Sequence, residues 1–151
     1  MVWRFHKKMP EFQKNSPVSK KIWANSAFGF SVNVFANELA HAAKKDPLEF
    51  RLNLIGPDRI ENTQDAIKYN TARMKHVLRQ AAKNANYGQA LHQVHAFGIA
   101  VQYSFYSYVA SVVDVSFINN KVQVHNVYTV FHRGTVINHD TVKAQLEGAA
   151  I

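Results

Sequence analysis

The spacing of the hydrophobic residues changes from about 3.6 residues before residue 97 to 2 over residues 97–131. A period near 3.6 places apolar side chains on one face of a helix, whereas a period of 2 places them on one face of a strand. Helices and strands are therefore segregated along the sequence. We predict an α+β fold in which N-terminal helices precede a three-stranded antiparallel meander and a C-terminal helix.

Two helices are predicted in the first third of the chain. The first begins near Ser31 and carries one apolar stripe. The stripe consists of Val32, Phe35, Leu39 and Ala42 or Ala43. In the second, Asp46 suits the N-cap, Pro47 suits the first helical position, and Glu49 can close a capping box. Gly56-Pro57 ends this helix. Its inward-facing residues are predicted to be Leu48, Leu52 and Ile55.

A third helix is predicted over residues 71–85, after a short helical turn at residues 63–69. Its apolar face comprises Met74, Val77, Leu78, Ala81 and Ala82. The opposite, outer side is predicted to carry Lys75, Arg79 and Lys83. Asn86-Tyr87-Gly88 closes the helix, because asparagine and glycine tolerate the left-handed backbone found at helix C-termini.

Three strands are predicted at residues 97–105, 107–118 and 121–131. One face of the second strand carries Val109, Ser111, Val113, Val115 and Phe117. Asn119-Asn120 predicts a hairpin turn, because asparagine tolerates the positive φ that such turns need. In the third strand the apolar phase shifts by one residue at His125-Asn126, which predicts a β-bulge. Asp140 is a suitable cap for the final helix.

Positive charge is concentrated at the front of the chain. The net charge is +8, and the first 21 residues hold six cationic residues and one acidic residue, a balance of +5 that leaves +3 for the other 130. We expect residues 1–27 to form a basic, irregular lead-in, with Pro10 and Pro17 interrupting it, and residues 28–151 to form the domain. Such an arm is more often solvated than bound, so we do not expect a nucleic acid partner.

Few residues point to a chemical activity. The absence of cysteine excludes disulfides, thiolate metal sites and cysteine catalysis. His92 and His95 are three residues apart, but no carboxylate or third histidine stands near them at ligand spacing, so we predict no metal site. His132 and His139 flank a glycine loop and are predicted to be surface loop residues. No nucleophile motif or phosphate-binding loop occurs, so we assign no catalytic residue.

The sequence also contains information about the cellular compartment. No apolar run approaches the roughly 20 residues that a membrane span needs. The first residues do not follow the pattern of a signal peptide, because Arg4, His6, Lys7 and Lys8 interrupt the apolar residues. These features leave both the bacterial cytoplasm and the periplasm open.

Three stretches, taken together, resemble one protein family. They are FANELAHAAKKDPLEFRLNLI (35–55), GIAVQYSFYSYVASVVDVSF (98–117) and GTVINHDTVKAQLEGAAI (134–151). Their residues, order and spacing resemble the molybdopterin-binding large subunits of molybdenum hydroxylases, the xanthine dehydrogenase and aldehyde oxidase family. The bacterial isoquinoline 1-oxidoreductase and aldehyde dehydrogenase-like β subunits are the most similar subgroup. By this resemblance, residues 28–151 are a partial molybdopterin-binding domain.

The resemblance implies an oxidoreductase that hydroxylates aldehydes or N-heterocycles with oxygen from water. It implies molybdopterin cytosine dinucleotide as the cofactor and an iron–sulfur subunit as the partner. Gln145 matches the family glutamine that hydrogen-bonds the pterin, and its amide offers a donor and an acceptor. Gly148 matches a small residue that lets the helix lie close to its neighbours. Asn138 and Asp140 match the family's loop and cap.

The chain departs from the family at three places. His-Arg-Gly stands at residues 132–134 where the family has Asp-Cys-Gly, and Asn-His-Asp stands at residues 138–140 where it has Asn-Pro-Asp. Near residues 24–34 the family's Arg-bearing cofactor loop is missing, and Asn33-Val34 stands in place of a Glu-Ser pair. The family's catalytic glutamate follows the segment that ends this chain, and most of its cofactor loops precede Met1. We therefore expect a partial sequence that is inactive and holds no cofactor by itself. The alternatives are a small basic module that contacts a polyanion through residues 1–21, or a non-catalytic remnant.

Overall fold

The computed structural model describes residues 17–62, 68–89 and 95–150. Its helices are α1 (Pro17–Ala42), α2 (Pro47–Ile55), α3 (Thr71–Asn84) and α4 (His139–Ala150). Its strands are β1 (Ile60–Asn62), β2 (Lys68–Asn70), β3 (His95–Ser104), β4 (Ser107–Ile118) and β5 (Lys121–His132). Strands β1 and β2 pair with each other, and β3, β4 and β5 form an antiparallel meander in that order. The α+β prediction is confirmed.

Helix α1 is longer than the sequence pattern indicated. It begins at Pro17, so the expectation of irregular chain is wrong for residues 17–27. Proline is compatible with the first turn of a helix, where its missing N–H has no intrahelical partner to lose. The rest of the predicted lead-in, residues 1–16, lies outside the described residues. No helix in the described part of the chain is both long enough and apolar enough to cross a membrane.

The apolar stripe of α1 faces solvent. Val32 and Phe35 are 59% and 60% exposed, whereas Ala36 is buried. The helix approaches β3 closely through small residues, since a Cβ added at Gly29 would lie 3.3 Å from the side chain of Gln102. Close approach to the edge of the sheet therefore decided which side of α1 is covered, and the larger apolar residues were left outside.

Helix α2 begins as predicted. The Oδ1 atom of Asp46 accepts hydrogen bonds from the backbone N–H groups of Leu48 and Glu49, at 2.9 and 3.0 Å. The reverse bond of a capping box, from Glu49, stays a prediction. Gly56 ends the helix with φ 75°, a left-handed conformation that suits glycine. The three residues predicted to face inward, Leu48, Leu52 and Ile55, pack against the core.

The helical turn expected at residues 63–69 is wrong where the structure describes it. Residues 68–70 belong to β2, which pairs with β1, and residues 63–67 lie outside the described part. Asn70 then caps α3, because its side-chain oxygen accepts a hydrogen bond from the backbone N–H of Arg73 at 3.2 Å. The pairing of β2 with β1 and the cap at Asn70 thus prevail over the weak helical pattern of these residues.

Helix α3 forms the centre of the core. Its predicted apolar face is confirmed: Val77, Leu78 and Ala81 are completely buried. Lys75 was expected on the outer side but is buried. Its ammonium group donates to the carbonyl of Gly56 at 3.0 Å and forms an ion pair with Asp58. These two partners come from the segment after α2, which no helical periodicity could reveal.

The turns and irregularities of the meander follow the prediction. Asn119 and Asn120 form the β4–β5 turn with φ of 50° and 63°. Asp114 pairs with Asn126, but Val115 pairs with Val124, so His125 is the extra residue of a bulge. The predicted hairpin and the predicted bulge are both confirmed.

The more apolar face of strand β4 is not the face that packs against the core. The residues Val109, Ser111, Val113, Val115 and Phe117 do share one face, but the more deeply buried face is the other one. That face carries Tyr108, Ala110, Val112, Asp114 and Ser116. Its apolar members pack with Ile99 against α3 because the helix lies on that side of the sheet. We call it the inner face, and the opposite side the outer face.

Helix α4 begins one residue before Asp140, so that residue is not its cap. Asn138 takes this role, because its Oδ1 atom accepts a hydrogen bond from the backbone N–H of Thr141 at 3.0 Å. Asparagine and aspartate are equally good caps, and the path of the preceding loop decides between them.

Candidate functional site

The inner face of the sheet ends in a group of polar side chains, which we call the histidine cluster. Its members are His95 of β3, Asp114 and Ser116 of β4, and His125 and Asn126 of β5. Asp114 and Ser116 continue the alternation that begins with the core residues Tyr108 and Val112. The bulge at His125 brings its imidazole toward Ser116.

Asp114 is the anionic member of the cluster. Its Oδ1 atom lies 2.8 Å from Nδ1 of His95, and its Oδ2 atom accepts a hydrogen bond from the amide of Asn126 at 3.3 Å. A carboxylate only accepts, so Nδ1 of His95 carries a proton while Asp114 is ionised. The hydrogen bond with His95 is the main cause that lowers the pKa of Asp114, and it outweighs burial, which acts in the opposite direction.

A second pair stands beside the first. Nε2 of His125 lies 2.8 Å from the hydroxyl of Ser116, which is only 1% exposed. The rings of His95 and His125 are stacked, with centroids 4.4 Å apart and planes at 19°. The two hydrogen-bonded pairs are thus joined by ring contact into one group, in which Asp114 and Ser116 are buried and His125 is exposed.

The geometry limits what the cluster can do chemically. A serine hydroxyl within hydrogen-bonding reach of an imidazole has the arrangement of a nucleophile and its base. However, the carboxylate contacts the other histidine, so it does not orient the base, and Ser116 is buried away from substrates. Buried polar groups that satisfy one another hold a structure in one arrangement. We therefore infer that the cluster serves to join the three strands and does not act in catalysis.

Sequence reasoning missed the partner of His95. It placed this residue in a polar connection without a nearby carboxylate, whereas His95 lies in β3 beside Asp114. The signal was the alternation in β4: once Tyr108 and Val112 are recognised as buried, Asp114 must also be buried and needs a partner. His92 lies outside the described residues. Among the described residues, no group of three or more ligands is arranged to hold a metal ion.

A row of rings crosses the other end of the inner face. Tyr103, Tyr108 and His132 are cross-strand neighbours, and Arg73 lies 5.6 Å above the ring of Tyr108. The hydroxyl of Tyr108 accepts a hydrogen bond from the backbone N–H of Asn70 at 2.8 Å. His132 was predicted to be a surface loop residue, but it ends β5 and its Nδ1 atom is buried without a hydrogen-bond partner in the described structure.

The two residues matched to a cofactor both lie on α4. Gln145 and Gly148 are exposed, and nothing comes within 4 Å of a Cβ added at Gly148. A groove of about 520 Å³ separates α4 from β5. It is lined by Val127, Thr129, Phe131, Val136, His139, Val142, Lys143, Leu146 and Glu147. The fold brings neither Gln145 nor Gly148 to the histidine cluster or into this groove.

The chain is similar to one characterised class of oxidoreductase. It shares 29% identity over 130 residues with the membrane-bound aldehyde dehydrogenase [pyrroloquinoline-quinone] of Gluconacetobacter polyoxogenes. The matched residues make up 81% of this chain and 17% of that protein, so the chain spans about a sixth of its relative's length. No protein-family model matches the chain, and no solved structure matches it.

The relationship is to an oxidoreductase, and it is distant. An identity of 29% over most of this chain supports aldehyde-dehydrogenase-like character. It does not by itself point to the molybdopterin family or to an iron–sulfur partner.

Proposed function

We propose that this chain is a structural segment of the large subunit of an aldehyde-oxidising oxidoreductase. The observation that carries the proposal is the similarity to an aldehyde dehydrogenase over 130 residues, most of this chain. The described residues fit this role, because their polar groups serve to hold the sheet and helices together, as in the histidine cluster. In this proposal the reacting groups come from other parts of the enzyme.

We further propose that the enzyme is of the molybdenum hydroxylase type, acting on aldehydes or N-heterocycles with an iron–sulfur partner. The support is the collinear resemblance of residues 35–55, 98–117 and 134–151. The name of the relative instead specifies pyrroloquinoline quinone. The two cofactors differ in composition, since one brings molybdenum and the other is an organic quinone, so direct analysis separates them.

The described residues fit one edge of a pterin site. Gln145 is exposed, and its amide can donate to and accept from the edge of a pterin ring. The open space around Gly148, one turn further along α4, leaves room for a ligand or a neighbouring segment. When bound, molybdopterin cytosine dinucleotide supplies the redox centre that oxidises the substrate. Gln145 would orient one edge of it, and the remaining contacts would come from outside the described residues.

A chimeric enzyme tests the proposal. The matched 130 residues of the Gluconacetobacter polyoxogenes protein are replaced by the corresponding part of this chain, and aldehyde oxidation is measured with a dye acceptor. We expect retained turnover, and a folded chimera without turnover would contradict the oxidoreductase role. The cofactor is analysed separately, in the enzyme that naturally contains this chain, where we expect molybdenum. Quinone without molybdenum in that enzyme would contradict the molybdenum hydroxylase assignment.

Two glutamine variants test whether Gln145 contacts the pterin. Gln145→Ala should lower the molybdenum content of the enzyme that naturally contains this chain, because the pterin loses a hydrogen-bonding partner. Gln123→Ala is the matched control, since Gln123 is also exposed but lies on β5. Equal molybdenum content in both variants would remove Gln145 from the proposed site.

A further inference from the structure

We propose that α1 and the outer face of the sheet form one docking surface for the remaining polypeptide of the large subunit. We call it the open surface and define it by Phe30 and Val34 of α1 and Val113, Phe117, Val122 and Val124 of the β4–β5 hairpin. The identity of this occupant rests on the proposed function. The existence of the surface rests on the structure alone.

Helix α1 is apolar on both sides. Its covered side carries Ala36 and Ala40, the flank beside the outer face of the sheet carries Phe30 and Val34, and the opposite flank carries Phe28 and the stripe of Val32, Phe35 and Leu39. Phe30 is 74% exposed, and Phe28 is 64% exposed. A surface helix of a globular protein normally has a polar outer side, whereas a helix that is apolar all round belongs in an interior. The composition of α1 is therefore that of a helix with neighbours on two sides.

The sheet, like α1, carries large apolar residues that are exposed. Helix α3 covers its inner face, but Phe117, Val122 and Val124 on the outer face are 61%, 67% and 57% exposed. An antiparallel sheet with one solvated face normally alternates apolar and polar residues. Here β4 carries Val109, Val113, Val115 and Phe117 on the face that α3 does not cover. The sequence of the sheet thus fits a layer that is covered on both faces.

A groove connects the two parts of the open surface. Its volume is about 320 Å³, and it lies where α1 meets the outer face of the sheet. Phe30, Asn33 and Val34 line it from the helix, and Gly98, Ser111 and Val113 line it from the strands. Because one groove has walls from both elements, a single occupant can contact the helix and the sheet together.

The length of the relative identifies the kind of occupant. The matched part of the aldehyde dehydrogenase is 17% of that chain, so most of its polypeptide remains to cover the corresponding surface. A second copy of this chain fits less well, since two chains of net charge +8 repel each other. A lipid surface also fits less well, because a groove between a helix and a sheet suits an inserted polypeptide segment better than a flat layer.

Coexpression tests the docking. This chain carries an affinity tag, and the probe is the Gluconacetobacter polyoxogenes polypeptide without its matched 130 residues. We expect the two chains to purify together. Phe30→Glu and Val124→Glu should each reduce the recovered complex about tenfold or more, because docking would bury an unpaired carboxylate. Ile137→Glu is the control: Ile137 is 99% exposed and lies outside the open surface, so recovery should not change.

Stability measurements test whether the substitutions reduce recovery simply by destabilising the chain. In the isolated chain, Phe30→Glu and Val124→Glu should leave the melting temperature nearly unchanged, because both residues are exposed there. In the chimera described above, the same substitutions should lower it, while Ile137→Glu should not. The chimera also decides the matter if the probe polypeptide does not fold by itself.

Several results would overturn the inference. Recovery and chimera stability that are indifferent to both substitutions would show that the open surface is not covered by this partner. Dimers of the isolated chain that Val124→Glu abolishes, or binding to phosphatidylglycerol vesicles that Phe30→Glu abolishes, would assign the surface to a second copy or to lipid. Docking that depends on Phe30 and Val124 in a chimera without turnover would sustain the inference and refute the proposed function.

Discussion

The side chain of Asn33 pairs with the backbone of Val101 as a neighbouring strand would. Its Oδ1 atom accepts from the N–H of Val101 at 2.9 Å, and its Nδ2 atom donates to the carbonyl of the same residue at 3.0 Å. Arg51 holds Asn33 in place by donating to its carbonyl at 2.9 Å. The edge strand β3 is thereby closed at this point by a helix, which protects it from pairing with another chain.

Replacing Asn33 should therefore cost stability. We expect Asn33→Ala to lower the free energy of unfolding by about 1–3 kcal/mol, because two partly buried backbone groups of Val101 lose their partners. Urea denaturation measures the change. Asn53→Ala is the control, since Asn53 is exposed on α2, and it should change stability by less than about 0.5 kcal/mol. Equal effects of the two substitutions would mean that the edge pairing contributes nothing.

Asp46 should contribute through its cap. Asp46→Ala removes the acceptor for two backbone N–H groups at the start of α2 and should cost about 1 kcal/mol. Asp46→Asn keeps a capping oxygen and should cost much less. Denaturation of the two variants side by side separates the cap from the charge, and a cost shared equally by both would assign the effect to the charge.

The hydroxyl of Tyr87 should ionise at unusually high pH. Burial, and then the hydrogen bond to Oδ2 of Asp46 at 2.9 Å and the charge of that carboxylate, raise the pKa of Tyr87 to about 12. The folded chain then keeps this proton between pH of about 10 and 12, where the unfolded chain has lost it. The stabilisation from Tyr87 is complete below pH of about 10 and is lost as the pH rises through that range.

Near-ultraviolet absorbance can follow this ionisation. The difference between the titrations of the unchanged chain and of Tyr87→Phe isolates one phenol. It should show a midpoint near 12. A midpoint at the ordinary value for tyrosine would show that neither the burial of the Tyr87 hydroxyl nor its contact with Asp46 holds in solution.

Asp114 should make the fold sensitive to acid. Its pKa is lowered in the folded state, chiefly by the hydrogen bond with His95, so it contributes stability above the ordinary carboxyl pKa of about 4. That stability is lost as the pH falls through the folded-state pKa. Asp114→Asn should be less stable at neutral pH and should lose less stability on acidification. Asp140→Asn, on the exposed start of α4, should follow the unchanged chain in urea denaturation at each pH.

The second pair of the histidine cluster should show strong coupling. His125→Ala leaves the buried hydroxyl of Ser116 without its partner and should cost about 1–3 kcal/mol. Adding Ser116→Ala removes the unpaired hydroxyl, so the double variant should recover part of that cost. A double-mutant cycle by urea denaturation gives the coupling energy, and strictly additive effects would argue against the hydrogen bond.

Local chemistry in the sequence was sufficient to determine the type and ends of most elements. The cap at Asp46, the turn at Asn119-Asn120 and the bulge at His125 each depend on the backbone preferences of a few adjacent residues. The change of period near residue 97 likewise separated the helices from the strands. These features follow from interactions between residues that are close together in the sequence. Both partners of each interaction can therefore be recognised from the sequence alone.

Tertiary structure decided which faces are covered and which charges have partners. The apolar stripe of α1 was visible in the sequence, but small residues such as Ala36 allowed the closer approach to β3 and left Phe35 in solvent. Lys75 and His95 found their partners in Gly56 and Asp114, which lie 19 residues away in each case. Periodicity identifies the faces of an element, but only the packing of distant segments determines which face loses its water.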